Sequence, residues 1–337
     1  MSKITGINRR TVLIAGASVL AAPYVLRSAS AATELRYGHN NEVASVAGAQ
    51  ADWFAAALDK ASDGDLKVQV FPNSQLGKLQ ELAEAVSLGT IAFSHNTAGA
   101  LGSLYKPFAA LDTPYLYRDV DHLMKVTDVD SPVMQEMNAG LIAAANVRVI
   151  YAHYFGRRNL TCNKAVMSPA DLAGTKIRAV PFPIYTTAVE GMGAVAVPVD
   201  WSEVPTALAT GVVQGQENPV NVVLNVKLYE VQSHLMLTGH MSNAEVVVMN
   251  EDVWQSMNSA QQDAVRQASS ETREKATNAI LDNEGAETQK LRDLGMTVIG
   301  KEEGLDLEAF RTSVKKLVDE RFGAENGDLY KKIEAIS

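Results

Sequence analysis

Three stretches of this chain hold polar side chains where recognition chemistry would need them. In "GTKIRAV" (Gly174 to Val180), Arg178 lies in a short apolar run that reads as a strand. In "YFGRRNLTCNK", Arg157 and Arg158 follow residues that are apolar up to Tyr154. In "PVDWSEVPTALATGVVQGQENPV", Trp201 sits at a strand-to-helix junction and Asn218 precedes Pro219. A guanidinium is the preferred partner of a carboxylate, because its planar fork matches two oxygens. Arginines at the carboxyl ends of parallel strands sit where α/β proteins bind ligands. An aromatic wall and an amide would orient a polar carbon skeleton. Each residue also has a plainer explanation. Arg178 could face water or bridge two lobes, Arg158 could pair with an acid, Trp201 could pack, and Asn218 could brace its turn.

Catalytic and cofactor patterns are absent from the sequence. There is no G-x-x-x-x-G-K-[ST] loop and no H-E-x-x-H. The six histidines, His39, His95, His122, His153, His234 and His240, are scattered singly. "GMGAVA" (Gly191 to Ala196) follows a helix and precedes a strand, the reverse of a dinucleotide fingerprint, and reads as a helix C-cap. The single cysteine, Cys162, excludes an intrachain disulfide and a thiolate cluster. The sequence therefore calls for no cofactor, no metal and no enzyme.

The elements that must position these residues alternate. Strands are expected at Glu34 to Asn40, Leu66 to Phe71 and Thr90 to Asn96, with a helix from Ser45 to Lys60 and another in the run that stops at Gly89. Such alternation predicts a mostly parallel sheet with helices on its faces. The theme returns with strands at Asn146 to Tyr154, "TKIRAV", "AVAVPV", Ala244 to Asn250 and Gly295 to Gly300. Helices are expected at "SPADLAG", "IYTTAVEGMG" and "WSEVPTALATG", and one very long polar helix from Ser259 to about Leu294. The length of 337 residues and 47% hydrophobic content suit two α/β lobes joined by more than one crossing strand.

The formal net charge of −9 argues against nucleic acid or an anionic membrane as partner. The first 32 residues differ from the rest. Arg9 and Arg10 precede an apolar stretch from Val12 to Val25, and "ASA" (Ala29 to Ala31) suits signal peptidase. This predicts export by the twin-arginine route, with a Sec signal as the alternative. The segment carries Lys3, Arg9, Arg10 and Arg27 and no acid, so the remainder is more acidic still. A soluble periplasmic protein is expected.

"SQLGKLQEL", "DLAGTKIRA", "SEVPTALATGVVQGQENP" and "KLYEVQSHLMLTGH", with the leading export signal, resemble the periplasmic solute receptors of TRAP transporters from about Glu34 to the C-terminus. The resemblance implies an α/β, two-lobed binding-protein fold with a long helix spanning both lobes. It implies an organic acid held between lobes that close on it, delivered to a membrane permease by a monomeric receptor. Residues 33–155 with 244–283 would form one lobe, and 156–243 with 284–337 the other. Arg178 would clamp the carboxylate, with Arg158 as a second arginine, Asn218 as an amide contact and Trp201 as an aromatic wall. His39, Asn40, His95 and Asn96, together with Thr97, match loops near the ligand's far end, and Glu245 falls where a polar residue can reach it. Glu217 would be a buried brace. The pattern departs at Pro181, where some members have a polar contact, and at Gln214, where aspartate is common.

Neutral polar groups at the far end suit hydroxyls better than a second charge, and Glu245 would repel a second carboxylate. The expected ligand is therefore a sugar acid, a uronate or aldonate. A C4-dicarboxylate or keto acid is the alternative, favoured if Arg157 also turns inward. An exported lyase or isomerase is the competing class, and it would need His39 or His95 as a general base.

Overall fold

The computed structural model describes residues 32–337. The proposed export segment lies outside these residues except at its last position.

The chain begins with β1 (Thr33–Gly38), α1 (Val46–Ala61), β2 (Leu66–Phe71), α2 (Leu79–Ser87) and β3 (Phe93–Asn96). A helical stretch follows: α3 (Ala98–Leu101), α4 (Val120–Val126) and α5 (Pro132–Ala145). Next come β4 (Val147–Cys162), β5 (Lys176–Ala179), α6 (Pro183–Gly191), β6 (Val195–Pro198), α7 (Val204–Ala209), β7 (Gly215–Asn218), α8 (Val220–Asn225) and β8 (His234–Asn250). The last elements are α9 (Glu251–Ser256), α10 (Ser259–Leu281), α11 (Glu284–Asp293), β9 (Thr297–Ile299) and α12 (Leu307–Glu334).

The helices begin where side chains can satisfy the first free backbone N–H groups. Ser45 accepts from Gly48 N at the start of α1, and Ser131 accepts from Met134 N at the start of α5. Asn258 and Gln261 form a reciprocal capping box on α10.

Among the described residues, nine strands form one mixed sheet, in the order β2-β1-β3-β8-β4-β7-β5-β6, with β9 beside β8. The flanks are parallel, as the alternation predicts: β1 pairs with β2 and β3, and β5 with β6 and β7. The centre is not. β8 runs antiparallel to both β3 and β4, and β4 antiparallel to β7. The prediction of a mostly parallel sheet fails here because β4 and β8, of 16 and 17 residues, are far longer than the segments read as strands. They pass from one lobe into the other.

Their register shifts at three places, between Val149 and Tyr151, Tyr154 and Gly156, and Arg158 and Leu160. Such bulges bend and twist a strand pair. Gly156 takes φ +128° at one of them, and a Cβ there would come within 2.6 Å of Pro219.

Each half of the sheet is covered on both faces. In the first lobe, Leu82, Phe108, Leu141 and Val248 pack on one side, and Phe54, Phe93, Met249 and Val265 on the other. In the second, one core gathers Leu160, Ile177, Val189 and Met236, and another gathers Val204, Leu208, Leu235 and Leu291.

The helix expected from Ser259 to Leu294 is interrupted at Asp282–Asn283, giving α10 and α11. Asn283 Nδ2 donates to the Ala279 carbonyl at 2.7 Å, a local bond that competes with the helical ladder. The continuous helix shared by both lobes is α12. Phe310, Val314 and Val318 lie in a second-lobe core, while Leu329 and Ile333 lie in a first-lobe core. The end of the 284–337 stretch thus packs in the first lobe, not wholly in the second.

Candidate ligand-binding cleft

Between the lobes, side chains converge from both halves of the chain. The cavity of about 40 Å³ is lined by Asn40, Asn41, Thr97 and Leu79 from the first lobe, and by Arg178, Val180, Trp201, Asn218 and Val222 from the second. Phe155 and Arg158 of β4 and Glu245 of β8 complete it from the crossing strands.

Arg178 is the penultimate residue of β5 and only 2% exposed. Its Nε donates to the Val199 carbonyl at 2.8 Å. Its two terminal nitrogens have no protein acceptor and no carboxylate partner among the described residues. The guanidinium lies 5.7 Å from the Trp201 ring centroid, within reach of its electron-rich face. Burial pulls its pKa down to about 10, Glu217 and Asp200 pull it up, and Arg158 adds to the downward pull. It remains a cation at neutral pH, buried and without a counterion.

Arg158 is answered within the protein. Its Nε donates to Glu217 Oε2, and its Nη2 donates to Glu217 Oε1 at 2.8 Å and to the Glu217 carbonyl at 2.6 Å. Its guanidinium also lies 5.2 Å from the Tyr185 ring. Burial alone would raise Glu217, but the Arg158 charge and hydrogen bonds from His240 and Arg158 hold it down to about 2. Glu217 is thus half of a buried ion pair.

The sequence placed Arg157 and Arg158 after a strand, whereas β4 continues through them to Cys162. Neighbouring residues of a strand face opposite sides. Arg157 accordingly points away, into a separate cavity of about 490 Å³ behind the crossing. That cavity sets Glu284 and Glu308 beside Arg157 and Arg311, so it holds no surplus of positive charge.

Asn218 lines the cleft and donates from Nδ2 to Gln216 Oε1 at 2.6 Å. Asn40 lines it too, with Oδ1 buried and unpartnered. His39, His95 and Asn96 do not reach the cavity wall. His39 accepts from Asn41 N at 3.2 Å and stacks on His95 with ring centroids 4.7 Å apart. His95 is tied to Gln50, Tyr37 and Asn41. Asn96 donates to Ser94 Oγ at 2.5 Å. These internal bonds hold all three behind Asn41 and Thr97, which take the wall positions.

Sequence reasoning missed Leu79, Phe155, Val180 and Val222, apolar residues that carry no chemical signature of a site. It also missed a bridge across the cleft mouth. Lys78, at the start of α2, donates to Asp200 Oδ2 at 2.6 Å and lies 3.9 Å from Glu203. The bridge joins the two lobes directly and is partly exposed. Lys78→Ala should speed ligand release about two- to fivefold, with the difference shrinking in high salt, as for screened surface pairs. Stopped-flow dissociation at low and high ionic strength checks this.

A two-lobed solute receptor is the class that this fold and site define. The chain belongs to family 7 of the bacterial extracellular solute-binding proteins, whose profile matches residues 37–325. It is similar to a TRAP periplasmic solute-binding protein from Bordetella bronchispeptica with density assigned to pantoate, at 31% identity and TM-score 0.83, covering 90% of this chain and 99% of that one. A counterpart from Roseobacter denitrificans OCh 114 with bound L-galactonate gives 28% identity and TM-score 0.83 over 90% and 98% of the chains. One from Polaromonas sp. JS666 bound to D-erythronate gives 29% and 0.82 over 90% and 99%.

Proposed function

We propose that this protein is a periplasmic receptor that captures a hydroxylated monocarboxylate, a sugar acid such as an aldonate or uronate, and hands it as a monomer to a TRAP membrane permease. Arg178 carries the reading: a cation buried in the closed cleft, with two free nitrogens and no acid of its own. A ligand carboxylate supplies the missing charge and both acceptors. Trp201 walls the site, Arg158 and Asn218 stand beside it, and Asn40, Asn41 and Thr97 offer bonds to hydroxyls. The acids found in the three similar structures are all hydroxylated monocarboxylates, which supports the same choice. Export through the segment before Ala32 is part of this reading.

A C4-dicarboxylate would need a second uncommitted cation. Arg157 faces away and Arg158 is occupied by Glu217, which weighs against it. An enzyme reading loses its general base, since His39 and His95 sit behind the wall. Burial also lowers His39 to about 4 and His95 well below its ordinary value.

Thermal unfolding against a panel of organic acids tests the function. A ligand at about one hundred times its dissociation constant should add about 2.7 kcal/mol, or roughly 5–10 °C. Shifts with aldonates or uronates support the reading. Shifts only with dicarboxylates keep the receptor and discard the ligand, and no shift with any acid removes both.

A further inference from the structure

One acid in the cleft stands apart from the ion pairs. Glu245 lies on β8 directly opposite His153 of β4, lines the cavity and is 4% exposed. Its Oε2 has no hydrogen-bond partner, and two ring nitrogens face it, His95 Nε2 and His153 Nε2, each at 3.6 Å.

The tautomers of both histidines follow from their other bonds. Gln50 Nε2, which can only donate, meets His95 Nδ1 at 2.6 Å. His95 therefore carries its proton on Nε2 and aims it at Asn41 Oδ1, 2.7 Å away. His153 Nδ1 lies 3.1 Å from the Tyr154 carbonyl, which can only accept, so the proton is on Nδ1. His153 Nε2 is then a bare lone pair, itself buried and unpartnered. An ionised Glu245 would set a carboxylate oxygen against that lone pair. A proton on Oε2 turns the same facing into a donor aimed at an acceptor.

We propose that Glu245 is a specificity-determining residue that works as the neutral acid. The cleft takes up a monocarboxylate together with one proton from solvent, placed on Glu245, whenever Glu245 starts out ionised. This rests on the sugar-acid reading above. The charges in the cleft then close: Arg158 with Glu217, Arg178 with the ligand, and Glu245 with none. A ligand anion added beside an ionised Glu245 would leave one buried negative charge without a partner.

The groups facing Glu245 agree with this. Burial raises it to about 8, with Asn41 and Arg158 pulling the other way. From β4, burial lowers His153 to about 4, and burial also holds His95 of β3 well below its ordinary value, so both are neutral at neutral pH. Burial also raises Tyr37 of β1 and Tyr151 of β4, so both hydroxyls keep their protons. His39 stands behind His95 and is neutral too. Arg178 is the remaining cation across the cavity. Because the ligand favours the protonated acid, affinity should be flat below about pH 8 and fall by up to tenfold per pH unit above it.

Calorimetry with L-galactonate from pH 6.5 to 9.5, in buffers of different ionisation heat, counts the protons. Proton uptake should rise from near zero at pH 6.5 towards one per ligand at pH 9. E245Q should show no uptake and lose the alkaline fall in affinity. Uptake unchanged in E245Q, or none in the native protein at pH 9, overturns the proposal. A second readout needs no ligand: ¹³C NMR of the Glu245 carboxyl in the free protein. Titration in the ordinary carboxylate range overturns the proposal independently. A high-titrating Glu245 in a protein that binds no acid of the panel counts against the sugar-acid reading and not against the residue.

Discussion

Arg178→Ala should bind the cognate acid about 30- to 4,000-fold more weakly, the equivalent of about 2–5 kcal/mol lost when one partner of a buried charge pair is removed. Its stability without ligand should change little or rise. The asymmetry follows from how Arg178 is held. Its only hydrogen bond to a described residue runs to the Val199 carbonyl, and its charge is buried without a matching acid. Folding gains little from such a cation, and binding gains all of it. Arg178→Lys should also lose most of the affinity, because a compact ammonium cannot engage two carboxylate oxygens as a planar fork does. Calorimetric titration, paired with thermal unfolding of the free protein, checks both halves. Near-native affinity in Arg178→Ala would remove the clamp.

The neighbouring arginine should behave in the opposite way. Glu217→Ala leaves Arg158 buried with no counterion and should cost about 3–5 kcal/mol of stability whether or not ligand is present. His240, 3.1 Å from Glu217 Oε2, loses its partner as well. The pH dependence has a defined sign. Glu217 is held at about 2 when folded and returns to an ordinary carboxylate value when unfolded. Its contribution is complete above about pH 4.5 and is lost as pH falls towards 2. Urea unfolding at pH 7 and at pH 3 should therefore show the native protein and Glu217→Ala drawing closer at the lower pH. A constant gap would mean that the ion pair is not the source of the loss.

The contrast between these arginines marks what the sequence could convey. Arg178 was legible because a charged residue inside "KIRAV" demands a reason, and β5 is as short and apolar as it reads. The parallel flanks were legible because strands and helices alternate at short range. The antiparallel centre was not. Its pairing joins β3 and β4 to a strand about 70 to 155 residues away, and nothing local encodes that. The Arg158–Glu217 pair spans 59 residues, and the bulges that set Arg158 inward are a property of paired strands, not of "FGRRN". His39, His95 and Asn96 stand next to the cleft but behind its wall. The difference lies in hydrogen bonds to Gln50, Tyr37 and Ser94, which a reading of one segment at a time does not reveal.

Three segments pass from lobe to lobe: β4, β8 and α12. Two of them are hydrogen-bonded to each other over most of their length, and the third is rooted in both cores. A joint braced in this way resists sideways shear and rocking, and leaves one easy rotation, the flexing and twisting of the paired ribbon at its bulges. Travel of one lobe against the other would then be close to a single coordinate. A ligand seated at the proposed Arg178 clamp would fix the position of surfaces far from it, because the two halves have few other ways to be arranged. That geometric stiffness turns the presence of one small anion into a shape that another protein can read.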